Sequence, residues 1–257
     1  MKHFYSFAVG LSLFLAATPL QAKVFYVTTT GTGDGSSWTK AFGSIDDALA
    51  KATSGDEIWI AAGTYKPTQL IKSSKKNSRH FPLKDGVSLY GGFAGTETTK
   101  EARAKKEGGE AYEYVHETIL SADDDVADEW VRESNPENPF SYGWKVENNI
   151  IPGTKNNANH ILFKKEELTA PITIDGLTLK GANAMVYNVQ CSGGAIYAVG
   201  DVTITTCQFV ENSCYFTAEG NRDANGAAIY LEGKGKAKIV DCFFKRTYGH
   251  SPNSQAQ

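Results

Sequence analysis

Between Gly193 and Asn212 the chain reads GGAIYAVGDVTITTCQFVEN, and between Gly226 and Thr247 it reads GAAIYLEGKGKAKIVDCFFKRT. In both, apolar and polar residues alternate with period two in short runs, and Gly, Asp or Asn interrupts the runs. Such alternation sends successive side chains to opposite faces of a strand, and the interrupting residues favour turns. The two segments are one design written twice. Ile204, Cys207 and Phe209 recur as Ile239, Cys242 and Phe244, each 35 residues on, and Ile196 recurs as Ile229 after 33. A weaker copy precedes them in ITIDGLTLKGAN, where Ile172, Ile174, Leu177 and Leu179 match Val202, Ile204, Cys207 and Phe209, with Asn183 one residue out of step with Asn212. The runs NHILF, GGAIY and GAAIY head the three units.

A repeat of about 30 to 35 residues made of short strands, without apolar residues at three and four spacing, excludes helical repeats. One unit leaves two open edges and closes no core, so units must stack with backbone hydrogen bonds along the stack. The expected fold is therefore all-β, a parallel β-helix with interior ladders. Ile174, Ile204 and Ile239 form one, Leu177, Cys207 and Cys242 a second, and Leu179, Phe209 and Phe244 a third. Gly193, Gly194 and Ala195, repeated as Gly226, Ala227 and Ala228, give a tight corner before Ile196 and Ile229. Asn212 is expected at a turn, bonding its own backbone. Stacking brings Cys207 within disulfide range of Cys242, and two buried thiols fit the ladder equally well.

The N-terminal part differs. VFYVTTT reads as a strand, and SIDDALAKATSG carries a helix signature over Ser44–Thr53: Ser44 as N-cap, Ile45, Ala48, Leu49 and Ala52 on one face, Gly55 just beyond. A buried strand follows from Glu57 to Ala62. A solenoid needs its first edge covered, and this short helix is expected to cap it.

Composition narrows the function. A formal charge of -3 over 257 residues, with no basic run, gives no reason to expect nucleic acid. Residues 1–22 read as a secretory signal peptide: a short polar start, the apolar run FAVGLSLFLAA, and a small-residue cut after Ala22. No second apolar run reaches membrane length, so no transmembrane span is expected. The four cysteines, Cys191, Cys207, Cys214 and Cys242, lack metal-ligand spacing, so neither metal nor cofactor is expected.

Residues 23–257 then form one domain, with a cap and first strands at 23–65, an insertion at 122–159, repeat coils at 160–244 and a polar tail at 245–257. The acidic run SADDDVADEW in the insertion lacks the alternating ligands and the glycine of a calcium loop and reads as solvated. Trp130, Phe140, Tyr142 and Trp144 follow among Pro, Asn and Glu residues. Trp130 and Trp144 are a candidate glycan platform, against the plainer reading that this loop packs on the solenoid wall. Asp175, Asp201 and Asp241 sit at or near coil corners, where Asp favours turns, and no pair stands out as the two carboxylates of a glycosidase, so no catalytic residue is assigned.

The segments GDEIWIAAGTYKPT, FPLKDGVSLYGGFAGTET, ETILSADDD and IDGLTLKGAN resemble secreted right-handed parallel β-helix proteins of bacterial surfaces, with a pectin lyase-like fold. GGAI with FVEN resembles the GGA[ILV] and FxxN pair of polymorphic outer-membrane protein repeats, and the third unit departs from it with GAAI and FKRT. The resemblance implies right-handed coiling, export to the cell envelope or outer membrane, and adhesion or surface display, and by itself implies no chemistry; with no catalytic residue assigned, a non-catalytic role toward a glycan or host surface component is expected. The alternative it leaves is a polysaccharide lyase or glycoside hydrolase, since this fold hosts both. After Phe244 the polar sequence KRTYGHSPNSQAQ offers no cap, so a truncated form of a longer β-helix and edge-to-edge self-association are expected.

Overall fold

The structure, a computed structural model, describes residues 22–135, 138–147, 150–185, 191–215 and 224–250. The expected signal peptide lies outside them except for Ala22. The fold is a parallel β-solenoid of about six turns, with one α-helix among the described residues. Its first wall stacks Val24–Val27, Glu57–Ala61, Ser88–Phe93, Ile172–Asp175, Val202–Thr205 and Ala237–Val240. The second stacks Gly63–Tyr65, Thr118–Ser121, Leu177–Lys180, Gln208–Val210 and Phe243–Lys245. The third stacks Arg79–Pro82, Leu162–Glu167, Ile196–Val199 and Ile229–Glu232, with Gln69–Leu70 antiparallel at its lower edge.

The interior ladders follow the sequence period. Ile174 pairs with Ile204 and Ile204 with Ile239, while Leu179 pairs with Phe209 and Phe209 with Phe244. The Phe209 and Phe244 rings stack with centroids 4.8 Å apart. Cys207 and Cys242 occupy equivalent corner positions as free thiols.

At the glycine corner, Ala195 N–H donates to Ala228 O at 2.8 Å and Ile196 pairs with Ile229. A Cβ on Gly194 would stand 2.2 Å from Ala227 O, so the coil above dictates glycine there. Gly193 and Gly226 share the same left-handed backbone, φ 66°.

Asn212 differs from expectation. The left-handed residue at its corner is Glu211, φ 58°, stacked between Gly181, φ 79°, and Arg246, φ 52°. Asn212 itself is fully buried, and its amide turns down to the coil below, where Nδ2 donates to Leu179 O at 2.9 Å and Oδ1 accepts from Ala182 N–H at 3.0 Å. Where the chain turns a corner, such backbone groups lose their ladder partners and a buried amide replaces them. In the third copy Thr247 takes this place.

The helix spans Ile45–Lys51, with Ser44 Oγ accepting from Asp46 N–H at 3.0 Å. Ile45, Ala48, Leu49 and Ala52 are buried with Val27, Ile58 and Phe81 in the main core. It follows the first wall strand rather than preceding the solenoid. The insertion contains an antiparallel hairpin, Arg132–Asn135 with Asn138–Trp144, yet its end rejoins the solenoid: Ala158 N–H donates to Ala122 O, and Asn183 N–H to Ala158 O. After Phe244 the chain adds one more strand, Tyr248–His250, paired with Ser213–Tyr215, because backbone pairing does not require an apolar ladder.

Candidate functional site

The third wall carries a cleft of about 1150 Å³. Phe81, Leu162 and Ile196 point inward from its strands, so the strand period puts their successors outward. Pro82, Phe163, Tyr197 and Tyr230 consequently form one outer column in register. Phe163 and Tyr197 have centroids 5.3 Å apart, and Tyr197 and Tyr230 5.2 Å. His160 stacks on Phe163 at 4.8 Å. Its Nδ1 lies 2.8 Å from Gly193 O, which can only accept, so Nδ1 carries the proton and Nε2 is an acceptor. Burial holds this imidazole down to about 4, neutral at physiological pH. Tyr197 Oη donates to Glu232 Oε2 at 3.0 Å, and burial, with that bond, pushes its hydroxyl up to about 12.

His160, Phe163 and Tyr197 line the cleft, joined by the 71–79 loop and the 155–159 segment. The last two are tied by Asn159 N–H donating to Asn77 O at 2.7 Å. Ser78 closes the loop on itself, accepting from Lys72 N–H at 3.0 Å and donating to Lys75 O at 2.7 Å. Asn159 Oδ1 is buried without a hydrogen-bond partner. The result is an aromatic floor between polar and cationic edges, suited to binding an extended polar molecule with apolar faces.

The Trp130 and Trp144 rings meet edge to face, centroids 5.4 Å apart, at the base of the hairpin. Trp130 is only 8% exposed, and the Arg132 guanidinium lies over Trp144 at 5.0 Å. They do not form a shared flat surface. The side chains of Phe140 and Tyr142 are outside the described ones.

In the acidic run, Asp123 Oδ1 accepts from Asp125 N–H, Asp125 pairs with Lys66, and Glu129 pairs with Lys145. Asp128 accepts from Asn157 Nδ2, and burial raises its carboxyl to about 6. Among the described residues no three His, Cys, Asp or Glu side chains converge as a metal site.

Asp175 stands at a coil corner, ending its strand just before the left-handed Gly176, and there receives Arg103 Nη1 at 2.7 Å and Thr206 Oγ1 at 3.2 Å, with Tyr114 Oη at 3.4 Å. Arg103 also donates to Lys100 O and Gly91 O. This ion pair, 9% and 15% exposed, pins the 94–117 excursion onto the first wall. Burial and the Arg103 charge hold nearby Lys105 down to about 8. Asp201 accepts from Lys236 N–H of the next coil at 2.6 Å, and Asp241 occupies a left-handed corner, φ 52°.

Sequence reading passed over the cleft, although its floor was legible. In NHILF, GGAIY and GAAIY the isoleucine or leucine goes inward, so the aromatic after it must face out. The folding of IKSSKKNSR beside that column rests on long-range contacts that no local pattern encodes. No protein-family model, curated protein or solved structure matches this chain.

Proposed function

We propose that this chain is a non-catalytic carbohydrate-binding β-solenoid, exported and displayed at the cell envelope, with the third-wall cleft as its binding surface. The observation that carries the reading is the outward pair Phe163 and Tyr197 along the cleft floor, with the buried His160 ring stacked against Phe163. Aromatic rings turned outward forgo core packing, and a series of them offers stacking faces to successive sugar rings while Asn and Ser groups meet hydroxyls. The GGAI and FxxN resemblance, together with the leader pattern of residues 1–22, supports display outside the cell on a right-handed, pectin lyase-like coil.

A catalytic reading has less support. Arg103, the natural partner for a substrate carboxylate on the first wall, is engaged with Asp175 and two carbonyl groups. A polysaccharide panel tests the proposal: the protein should retain one or more polymers on an affinity gel and release neither reducing ends nor unsaturated products. Product release would establish the enzyme alternative.

A further inference from the structure

The cleft edge is unusual for a chain of formal charge -3. Lys72, Lys75, Lys76, Arg79, Lys155 and Lys165 line it, against only Asp124 and Glu232. Among the described residues none of the six cations takes part in an ion pair, and what sets the cleft apart is their gathering on one concave surface. The two carboxylates are already engaged, Glu232 by Tyr197 Oη and Asp124 by Val126 N–H at 3.1 Å. Concentrating unpaired cations on one concave surface raises the local potential and costs self-repulsion, which an anionic ligand relieves.

From this arrangement we infer that the cleft takes an acidic polysaccharide, a chain of sugars bearing carboxylate or sulfate groups; the inference rests on the carbohydrate-binding reading above. The cations meet the acidic groups as compact point charges on flexible stems, a match for a polymer whose charges recur along its length. The aromatic floor takes the apolar sugar faces. A nucleic acid strand, whose bases also stack on aromatic rings, is separated from sugars by the oligonucleotide arm of the test.

The test uses residues 23–257 and four ligands: polygalacturonate, the same polymer with its carboxyl groups reduced to alcohols, dextran sulfate, and a single-stranded oligonucleotide of matched charge. The acidic polysaccharides should bind at least roughly tenfold more tightly than the reduced polymer, and raised salt should erase most of that difference. The Lys72→Gln/Lys75→Gln/Lys76→Gln variant changes only exposed side chains, so it should keep the wild-type circular dichroism. It should lose acidic binding by a similar factor, so that its affinities for polygalacturonate and for the reduced polymer become nearly equal. Equal affinity for polygalacturonate and its reduced form, or an unaffected triple variant, overturns the inference while leaving carbohydrate binding intact. Oligonucleotide affinity matching the acidic polysaccharides also overturns it. Failure to retain any polysaccharide overturns the underlying reading as well.

Discussion

Asn212 of one coil and Leu179 of the coil below are joined inside the solenoid by a 2.9 Å hydrogen bond from the Asn212 amide to the Leu179 carbonyl. Replacing Asn212 with Ala strands that carbonyl and the Ala182 N–H together, a loss of about 2–4 kcal/mol. Asn212→Asp should be at least as destabilising at neutral pH, since a carboxylate cannot donate to Leu179 and becomes a buried charge. Urea unfolding measures both; a midpoint within error of wild type for Asn212→Ala would contradict the assigned role.

The relation of Asn212 to Leu179 shows where sequence reading stops. Period-two alternation and the 35-residue recurrence specify the ladders of Ile174, Ile204 and Ile239 and of Leu179, Phe209 and Phe244, because stacked coils repeat the same local rule. A buried Asn at a corner follows the same turn statistics whether it bonds its own backbone or the coil beneath. Trp130 and Trp144 meet the same limit: an aromatic within a polar insertion looks exposed until its packing partner is known, and here each ring meets the other edge to face. Phe163 and Tyr197 stood in plain alternation, while Lys72, Lys75 and Lys76 precede Phe163 by more than eighty residues and come beside its column only in the folded coil.

Acid should weaken the cleft floor. His160 has its folded pKa lowered from 6.5 to about 4 by burial, so between those values the unfolded chain takes up a proton that the folded chain refuses. Its contribution to stability is complete above about pH 6.5 and is lost as pH falls toward 4, by up to about 3 kcal/mol. Burial lowers His80 in the same direction. His160→Gln should flatten part of this slope in unfolding free energies measured from pH 4 to 8; an unchanged slope would contradict the placement.

The paired thiols should react unequally. Cys242 is half-buried, and its hydrogen bond with Cys207 holds its thiol below the usual range, whereas full burial pushes Cys207 up. Iodoacetamide at neutral pH should label Cys242 well before Cys207, with the rate rising as pH rises. Peptide mapping that finds Cys207 labelled first would refute this.

The last described coil exposes Ile239, Phe243 and Phe244 beside strand edges that have one neighbour each. Residues 23–257 as an isolated polypeptide should self-associate with rising concentration, and Ile239→Lys with Phe244→Lys should reduce this. Light scattering that shows a wild-type monomer throughout would remove the edge as a contact surface.

The most direct measurement is the calorimetric Kd of an oligogalacturonate for the wild type, for Phe163→Ala/Tyr197→Ala and for Trp144→Ala, each with its fold verified by circular dichroism. If the outward rings hold the sugar chain, the ring variant weakens binding by at least roughly tenfold while Trp144→Ala stays near wild type. A folded ring variant that binds as tightly as the wild type would contradict the third-wall cleft as the carbohydrate site.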